Sequence, residues 1–241
     1  MKTSADPNCS SLRTDGFSES NDIARISGTD STAAFVVVDL ETGGLKSFRP
    51  IIQIAAIAVD NDFREIDVFE TKVQFDESKA CPNSLRKIHY RRAEWKRTAI
   101  SPKTAAWRLA RFLRRHATVE VLRSDYSVFR VAQLACHNSE FDGPFLKAWF
   151  DRLDIFLPAS YRIFCTLQRA YWLFHENPHL DPPDDYRLGT LCHYFGVPLN
   201  PGDAHEALAD VRATIGLLQA MSKAPCTKKL SRRELTESPC G

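Results

Sequence analysis

Two acidic residues stand at the end of the first strongly apolar segment of the sequence. Asp39 and Glu41 follow residues 33–38, a largely β-branched run that predicts a buried central strand. Because alternate side chains of a strand point to the same face, the two carboxylates share one side of the sheet. Such a pair favours a divalent cation, and hard oxygen ligands suit Mg²⁺ or Mn²⁺. The alternative interpretation is a polar strand end that enters the Gly43-Gly44 turn.

A second candidate acid is Asp142, the last residue of the segment His137-Asn138-Ser139-Glu140-Phe141-Asp142. This segment lies where a strand predicted over residues 131–135 passes into a helix predicted over residues 139–153. Ligand sites of open α/β sheets gather at strand ends, so Asp142 can face the acidic pair of the first strand. The alternative is a helix start, because the spacing of Ser139 and Asp142 resembles a capping box and Asn138 is a good cap.

The third candidate pair is His205 and Asp210, five positions apart at the beginning of the last predicted helix. At 3.6 residues per turn their offset is about 140°, so they do not share one face of a regular helix. Both can serve one site if His205 lies in a loop or an irregular first turn while Asp210 projects from the helix. The Asn200-Pro201-Gly202 stretch favours such a loop. The alternative is a capped helix with an incidental solvent-facing histidine.

Other apolar patterns predict the elements that must position these residues. Two further strands, 51–59 and 66–75, complete a meander with the first strand through short connections. Helical spacing predicts helices over 104–113, 167–174 and 188–195, and a last helix that carries Ala207, Leu208, Val211, Ile215 and Leu218 on one side. A short fifth strand is expected at 162–165. Strands first and interleaved helices later predict an α/β fold with a mixed sheet.

Composition limits the class of protein. With 241 residues, 44% hydrophobic and 26% charged, the chain fits one globular domain, expected over 32–223, with flexible polar tails at 1–31 and 224–241. Seven cysteines without a CxxC pair favour reduced thiols over a disulfide framework or a structural zinc site. The N-terminus lacks the apolar region of a secretory signal, and no apolar run has the length of a membrane span. The sequence therefore predicts a cytoplasmic protein without membrane contact.

Positive charge is concentrated between Lys79 and Arg115, where Glu94 is the single acidic residue among many lysines and arginines. Tyr90, Trp95 and Trp107 are interleaved with these bases. This composition suits phosphate contacts together with base stacking on single strands, and such an arm beside the acidic site could guide a strand toward it. The alternative is a solvated helical face whose aromatic residues lie in the core.

Taken together, the three motifs resemble the DEDDh, or DnaQ-like, group of exonucleases in the RNase H-like superfamily. This family includes the proofreading subunit of the bacterial replicative polymerase and ribonuclease T. Its first motif stands here as residues 39–44 (DLETGG), its second as 137–142 (HNSEFD), and its third as His205 followed by Asp210. The similarity spans roughly residues 34–221 and includes 51–54 (IIQI) and 188–192 (LGTLC). Gln53 and Cys165 stand where the family often has acidic residues, which leaves the subfamily open.

The resemblance implies a fold and a reaction. The fold is an RNase H-like, mixed five-stranded sheet flanked by helices, with the first three strands antiparallel and the later ones parallel. The reaction is 3′-to-5′ exonucleolytic release of nucleoside 5′-monophosphates from single-stranded nucleic acid, with DNA favoured over RNA. Proofreading together with a DNA polymerase, DNA repair, exoribonuclease activity, a homodimer and a non-catalytic nucleic-acid-binding module remain as alternatives or open questions.

The resemblance also assigns roles to residues. It implies two divalent metal ions, Mg²⁺ or Mn²⁺, about 3.5 to 4 Å apart; their ligands would be Asp39, Glu41, Asp142 and Asp210. His205 would act as general base on the attacking water, and its acidic surroundings are expected to raise its pKa. The expected substrate-binding residues are Thr42, Gly43, Leu45, Asn138 and Phe141.

Overall fold

The computed structural model describes residues 33–200, 202 and 205–223. The predicted tails, residues 1–31 and 224–241, lie outside the described residues, as do Pro201, Asp203 and Ala204. The strands are β1 (Phe35–Thr42), β2 (Ile51–Val59), β3 (Glu65–Lys72), β4 (Val119–Leu122), β5 (Val128–Val131), β6 (Leu134–Cys136) and β7 (Phe164–Cys165). The helices are α1 (Pro82–Lys87), α2 (Arg92–Thr98), α3 (Pro102–Arg115), α4 (Ser139–Arg152), α5 (Thr166–Glu176), α6 (Leu188–Phe195) and α7 (Ala207–Ser222).

The main sheet has five strands in the order β3-β2-β1-β6-β7. The first three strands are antiparallel neighbours, whereas β6 and β7 run parallel to β1. The predicted fold class, a mixed α/β sheet of the RNase H-like type, is therefore confirmed. Strand β2 is buried along its whole length because it lies between two strands and has helices on its faces.

Alternation along β1 divides the core into two layers. Val36, Val38 and Leu40 pack with α3 and α4 on one face of the sheet. Val37 lies on the opposite face, against Ala207, Val211 and Ile215 of α7. Because side chains of a strand alternate with period two, the odd-numbered residues of β1 belong to the α7 face.

Some predicted boundaries were wrong. The strand predicted over 131–135 is divided between two sheets, because Val131 ends β5 and Leu134 begins β6. Strands β4 and β5 form a separate two-stranded sheet. They were not predicted as a pair, because the apolar residues Leu122 and Val128 are exposed and break the alternation expected of a half-buried strand. The strand predicted over 66–75 ends at Lys72, and Val73 instead forms an isolated bridge with Ile100.

Two short helices, α1 and α2, were not predicted, because they are basic and bury little of their own surface. Trp95 of α2 is buried and donates a hydrogen bond from its indole nitrogen to the carbonyl of Ile52, 3.3 Å away. This contact fixes the basic segment against β2. Within the described part of the chain, no helix combines the length and apolar character that a membrane crossing requires.

Candidate active site

Strand β1 carries Asp39 and Glu41 on the face that α7 covers. Both follow Val37 in the two-residue period of the strand, and Glu41 is 9% exposed. Asp39 lies close enough to Asp142, Glu41 and Asp210 that their negative charges raise its pKa in addition to the effect of burial. The structure therefore brings the four acidic residues named from the sequence into one place.

Asp142 reaches this group from the first turn of α4. Its side chain is 4% exposed and accepts hydrogen bonds from the backbone N–H of Leu40 in β1 and from the thiol of Cys136 in β6. Asn138 occupies the N-cap position of α4, as the capping alternative expected, but its side chain makes no capping hydrogen bond. The capping-box role of Asp142 was wrong, because its carboxylate contacts β1 and β6 rather than the helix terminus.

His205 and Asp210 meet because the chain before α7 is irregular. His205 has a φ of 69°, in the left-handed region, and its backbone N–H donates to the carboxylate of Asp210. Asp210 lies in the first turn of α7. Ligand atoms of Glu41, His205 and Asp210 all lie within 4.8 Å of one another. A regular helix would separate His205 from Asp210, so the backbone turn is what joins them.

The clustered carboxyl groups have raised pKa values. Burial, together with the negative charges of neighbouring carboxylates, raises the pKa of Asp39 well above its ordinary range and that of Glu41 to about 8. Burial likewise raises the pKa of Asp142 to about 7 and that of Asp210 to about 6. Ionising all four at neutral pH is costly without a cation. Their oxygen atoms fit hard divalent ions such as Mg²⁺ and Mn²⁺, so the donor set suits the expected metals.

The pKa of His205 corrects one expectation. Its acidic surroundings were expected to raise the value, but burial and electrostatic interactions with Lys87 and His89 lower it. The imidazole is therefore more easily kept neutral than in water. A neutral imidazole is the form that can accept a proton.

A cleft of about 270 Å³ contains these groups. Thr42, Leu45, Asn138 and Phe141 line it, and their role in substrate binding stays a prediction. Leu45 is 84% exposed, which leaves its side chain available to a ligand. Gly43 does not line the cleft. Its α-carbon packs against Pro50, since a Cβ there would lie 2.8 Å from Pro50 Cγ.

Sequence reasoning missed the contribution of α1. Lys87, Ser84 and Ile88 line the cleft beside the carboxylates, and the charge of Lys87 lowers the pKa of Glu41. Lys87 was counted in the basic segment without being assigned to the site, because α1 was not predicted. His137 also lines the cleft, but its ring is held by Thr166 Oγ1 at 2.8 Å and the carbonyl of Tyr186 at 3.1 Å. Its contacts are those of a positioning residue.

Comparisons with known proteins agree with this geometry. A family model described as Exonuclease, of the RNase T type, matches residues 36–218. A structure of exonuclease I is similar with a TM-score of 0.65 and 19% identity, covering 79% of this chain and 41% of that one. E. coli exonuclease I with a dT13 oligonucleotide gives a TM-score of 0.62 and 20% identity over the same shares of the two chains. With a dA16 oligonucleotide the E. coli protein gives 0.62 and 19%, again over 79% and 41%.

These structural matches establish a shared fold at low sequence identity. The chain spans about two fifths of the length of exonuclease I. Comparison of the sequence with curated proteins gave no match.

Proposed function

This chain belongs to the exonuclease family, and on that premise we propose that it removes nucleoside 5′-monophosphates from the 3′ end of single-stranded DNA in a metal-dependent hydrolysis. One observation carries the proposal. Asp39, Glu41, Asp142 and Asp210 come from three separate elements and lie in one cleft, where burial raises the pKa of each. Such a cluster is unfavourable for stability by itself, which indicates a functional site.

The four carboxylates are the residues that would hold the divalent ions. Glu41 and Asp210 approach each other beside His205, while Asp39 lies among the other three acids. When bound, divalent ions at such a site supply positive charge to the phosphate group that is hydrolysed and lower the pKa of water. Mg²⁺ or Mn²⁺ is the proposed metal.

His205 and Lys87 have complementary roles in this scheme. With its lowered pKa, His205 is neutral near pH 7 and can accept the proton of the attacking water. Lys87 lines the cleft, and its ammonium group can bind a phosphate of the strand. Leu45 and Phe141 offer apolar surface beside the carboxylates, which suits the terminal base and sugar.

Single-stranded DNA is the preferred substrate class. E. coli exonuclease I, which shares the fold, has been crystallised with dT13 and with dA16. Gln53 and Cys165, which replace acidic residues common in the family, do not directly bear on the choice between DNA and RNA. Gln53 donates to Glu70 at 2.9 Å, and Cys165 donates to the carbonyl of His137 at 3.3 Å, so both side chains are used within the fold.

A nuclease assay tests the proposal. Purified protein is mixed with single-stranded DNA or RNA carrying a 5′ label, with Mg²⁺, Mn²⁺ or a chelator. We expect a ladder of progressively shorter products that needs the metal and is stronger with DNA. Asp39→Ala should abolish the ladder, and His205→Ala should slow it by roughly 10² to 10⁴.

The matched control is Asp62→Ala, since Asp62 is an exposed aspartate that pairs with Arg64 away from the cleft. This variant should retain the activity of the parent protein. Binding without shortening of either nucleic acid would contradict the proposal and favour a non-catalytic module. Shortening of RNA alone would overturn the preference for DNA.

A further inference from the structure

Helix α3 buries one side in the core and exposes a basic side that includes a tryptophan. The exposed residues Lys103, Trp107, Arg108, Arg111 and Arg114 are called here the α3 basic face. Positions 103, 107, 111 and 114 are three or four apart, so their side chains are neighbours along one side of the helix. Trp107 is 51% exposed although it is one of the largest apolar side chains of the chain.

The charges of this face are not neutralised within the described part of the chain. Its four basic side chains form no ion pair with the described carboxylates, whereas the adjacent Arg115 pairs with Asp67 at 2.9 Å. Helix α3 also has no acidic residue in its first turn. Repulsion among like charges at this spacing destabilises a helix. A binding partner with negative charge would remove that repulsion.

The α3 basic face is separate from the catalytic cleft. Helix α3 packs on the sheet face formed by Val36, Val38 and Leu40. Asp39 and Glu41 lie on the opposite face, with Val37 and α7. The basic segment noted in the sequence is therefore split. Lys87 of α1 lines the cleft, while the cations of α3 lie behind the sheet.

The chemistry of this face fits single-stranded nucleic acid. Successive cations along the helix can contact consecutive phosphates, and an exposed indole offers a ring on which an unpaired base can stack. An acidic membrane surface would also attract the cations. However, the apolar side of α3 is buried in the core, so Trp107 would be its single large apolar group available to lipid.

We infer that the α3 basic face is a second binding surface for single-stranded nucleic acid, which holds the body of a strand whose 3′ end occupies the cleft. The inference rests on the proposed function for the class of substrate. It adds that strands long enough to reach behind the sheet bind more tightly than short ones. Trp107 stacks on a base, and Arg108, Arg111 and Arg114 contact phosphates.

The test measures binding to 3′-accessible oligonucleotides of about 5 and about 30 nucleotides, by fluorescence anisotropy in a chelator so that nothing is hydrolysed. The triple variant Arg108→Gln, Arg111→Gln, Arg114→Gln should weaken binding of the long strand. It should also lower the slope of log affinity against log salt by about 2, since each phosphate contact with a single strand contributes roughly 0.7. Trp107→Ala should weaken binding of the long strand roughly fivefold or more.

A control triple variant, Arg64→Gln, Arg130→Gln, Lys147→Gln, changes the net charge equally. Each of these residues is exposed and paired with a carboxylate elsewhere on the molecule. We expect the control to leave the salt slope unchanged. Binding of the short strand should be the same in the parent protein and in all variants, and circular dichroism should show that each variant is folded.

Several results would overturn the inference. If the salt slope falls equally in the two triple variants, the effect is one of general charge. If the α3 variants lose the same fraction of affinity for the short and the long strand, these residues act at the cleft. Loss of binding to phosphatidylserine vesicles with unchanged binding of DNA would assign the face to membranes. Degradation of the short strand tests the proposed function separately, because it needs the cleft and not α3.

Discussion

Replacing Asp210 by asparagine should stabilise the metal-free protein while removing activity. Asp210 is 9% exposed, and burial together with Glu206 raises its pKa from 3.8 to about 6. Asparagine has nearly the same shape and keeps an oxygen that can accept the N–H of His205. The substitution therefore removes the buried charge without removing the local hydrogen bond.

The magnitude follows from the pKa. A shift of about two units, at about 1.4 kcal/mol per unit, corresponds to about 3 kcal/mol. The pKa of Asp210 is higher in the folded protein than in the unfolded chain, so its protonated form does not oppose folding at low pH. As the pH rises through about 6, the carboxyl group ionises in the folded protein as well. The buried charge then lowers the free energy of unfolding by its full amount. The asparagine side chain does not titrate. The free energy of unfolding of Asp210→Asn should therefore exceed that of the parent by about 3 kcal/mol at pH 8 and by about half of that at pH 5.

Thermal unfolding in a chelator measures this difference. For a chain of this size, about 3 kcal/mol corresponds to a rise in Tm of roughly 6 to 12 °C at pH 8. Adding Mg²⁺ or Mn²⁺ should raise the Tm of the parent more than that of the variant, and so reduce or reverse the difference in Tm between them. The exposed Asp62→Asn is the control and should change stability by less than about 0.5 kcal/mol.

Two results would refute the reasoning. A variant no more stable than the parent at pH 8 would show that Asp210 is not under electrostatic stress. A gain that is the same at pH 5 and pH 8 would show that the effect does not come from ionisation of the carboxyl group.

Three further predictions concern close packing at two glycines and the charge of Lys87. Gly43→Ala should lower stability by about 1–3 kcal/mol in denaturant unfolding, because its Cβ would meet Pro50 Cγ at 2.8 Å. Gly216→Ala should do the same, because its Cβ would lie 2.5 Å from Val197 Cγ1. Lys87→Gln should raise the pKa of His205, measured by NMR titration, because the charge of Lys87 lowers that pKa.

Each of these has a matched comparison. Gly189→Ala places a Cβ where nothing lies within 4 Å, so it should not be destabilising. If it costs as much as Gly43→Ala or Gly216→Ala, the close approaches are not the cause. Arg64→Gln removes an exposed charge elsewhere and should leave the pKa of His205 unchanged. A His205 pKa that does not move in Lys87→Gln would contradict the electrostatic contact.

Local patterns were enough for much of the fold. Strand β2 and helix α6 have the bounds that apolar periodicity and the stop at Gly196 predicted, and Gly196 has the positive φ of 66° that ends the helix. These features depend on neighbours in the sequence. The family and the mixed sheet were also predictable, because the acidic motifs carry the resemblance in residue type and order.

Tertiary structure decided what depends on distant neighbours. It placed Asp142 beside Asp39, and it lowered the pKa of His205 through burial and through the proximity of Lys87 and His89. Periodicity identified the basic side of α3 but could not indicate which face of the sheet the helix covers.

By itself, the sequence determined which side chains are available for metal binding and proton transfer, and that Asp39 and Glu41 share a face. Only the tertiary structure decided which charges surround them and where the remaining cations lie. The physical reason is the distance along the sequence over which each kind of interaction acts. Periodicity and turn chemistry act over a few residues, whereas burial and Coulomb interactions depend on segments that are brought together by packing.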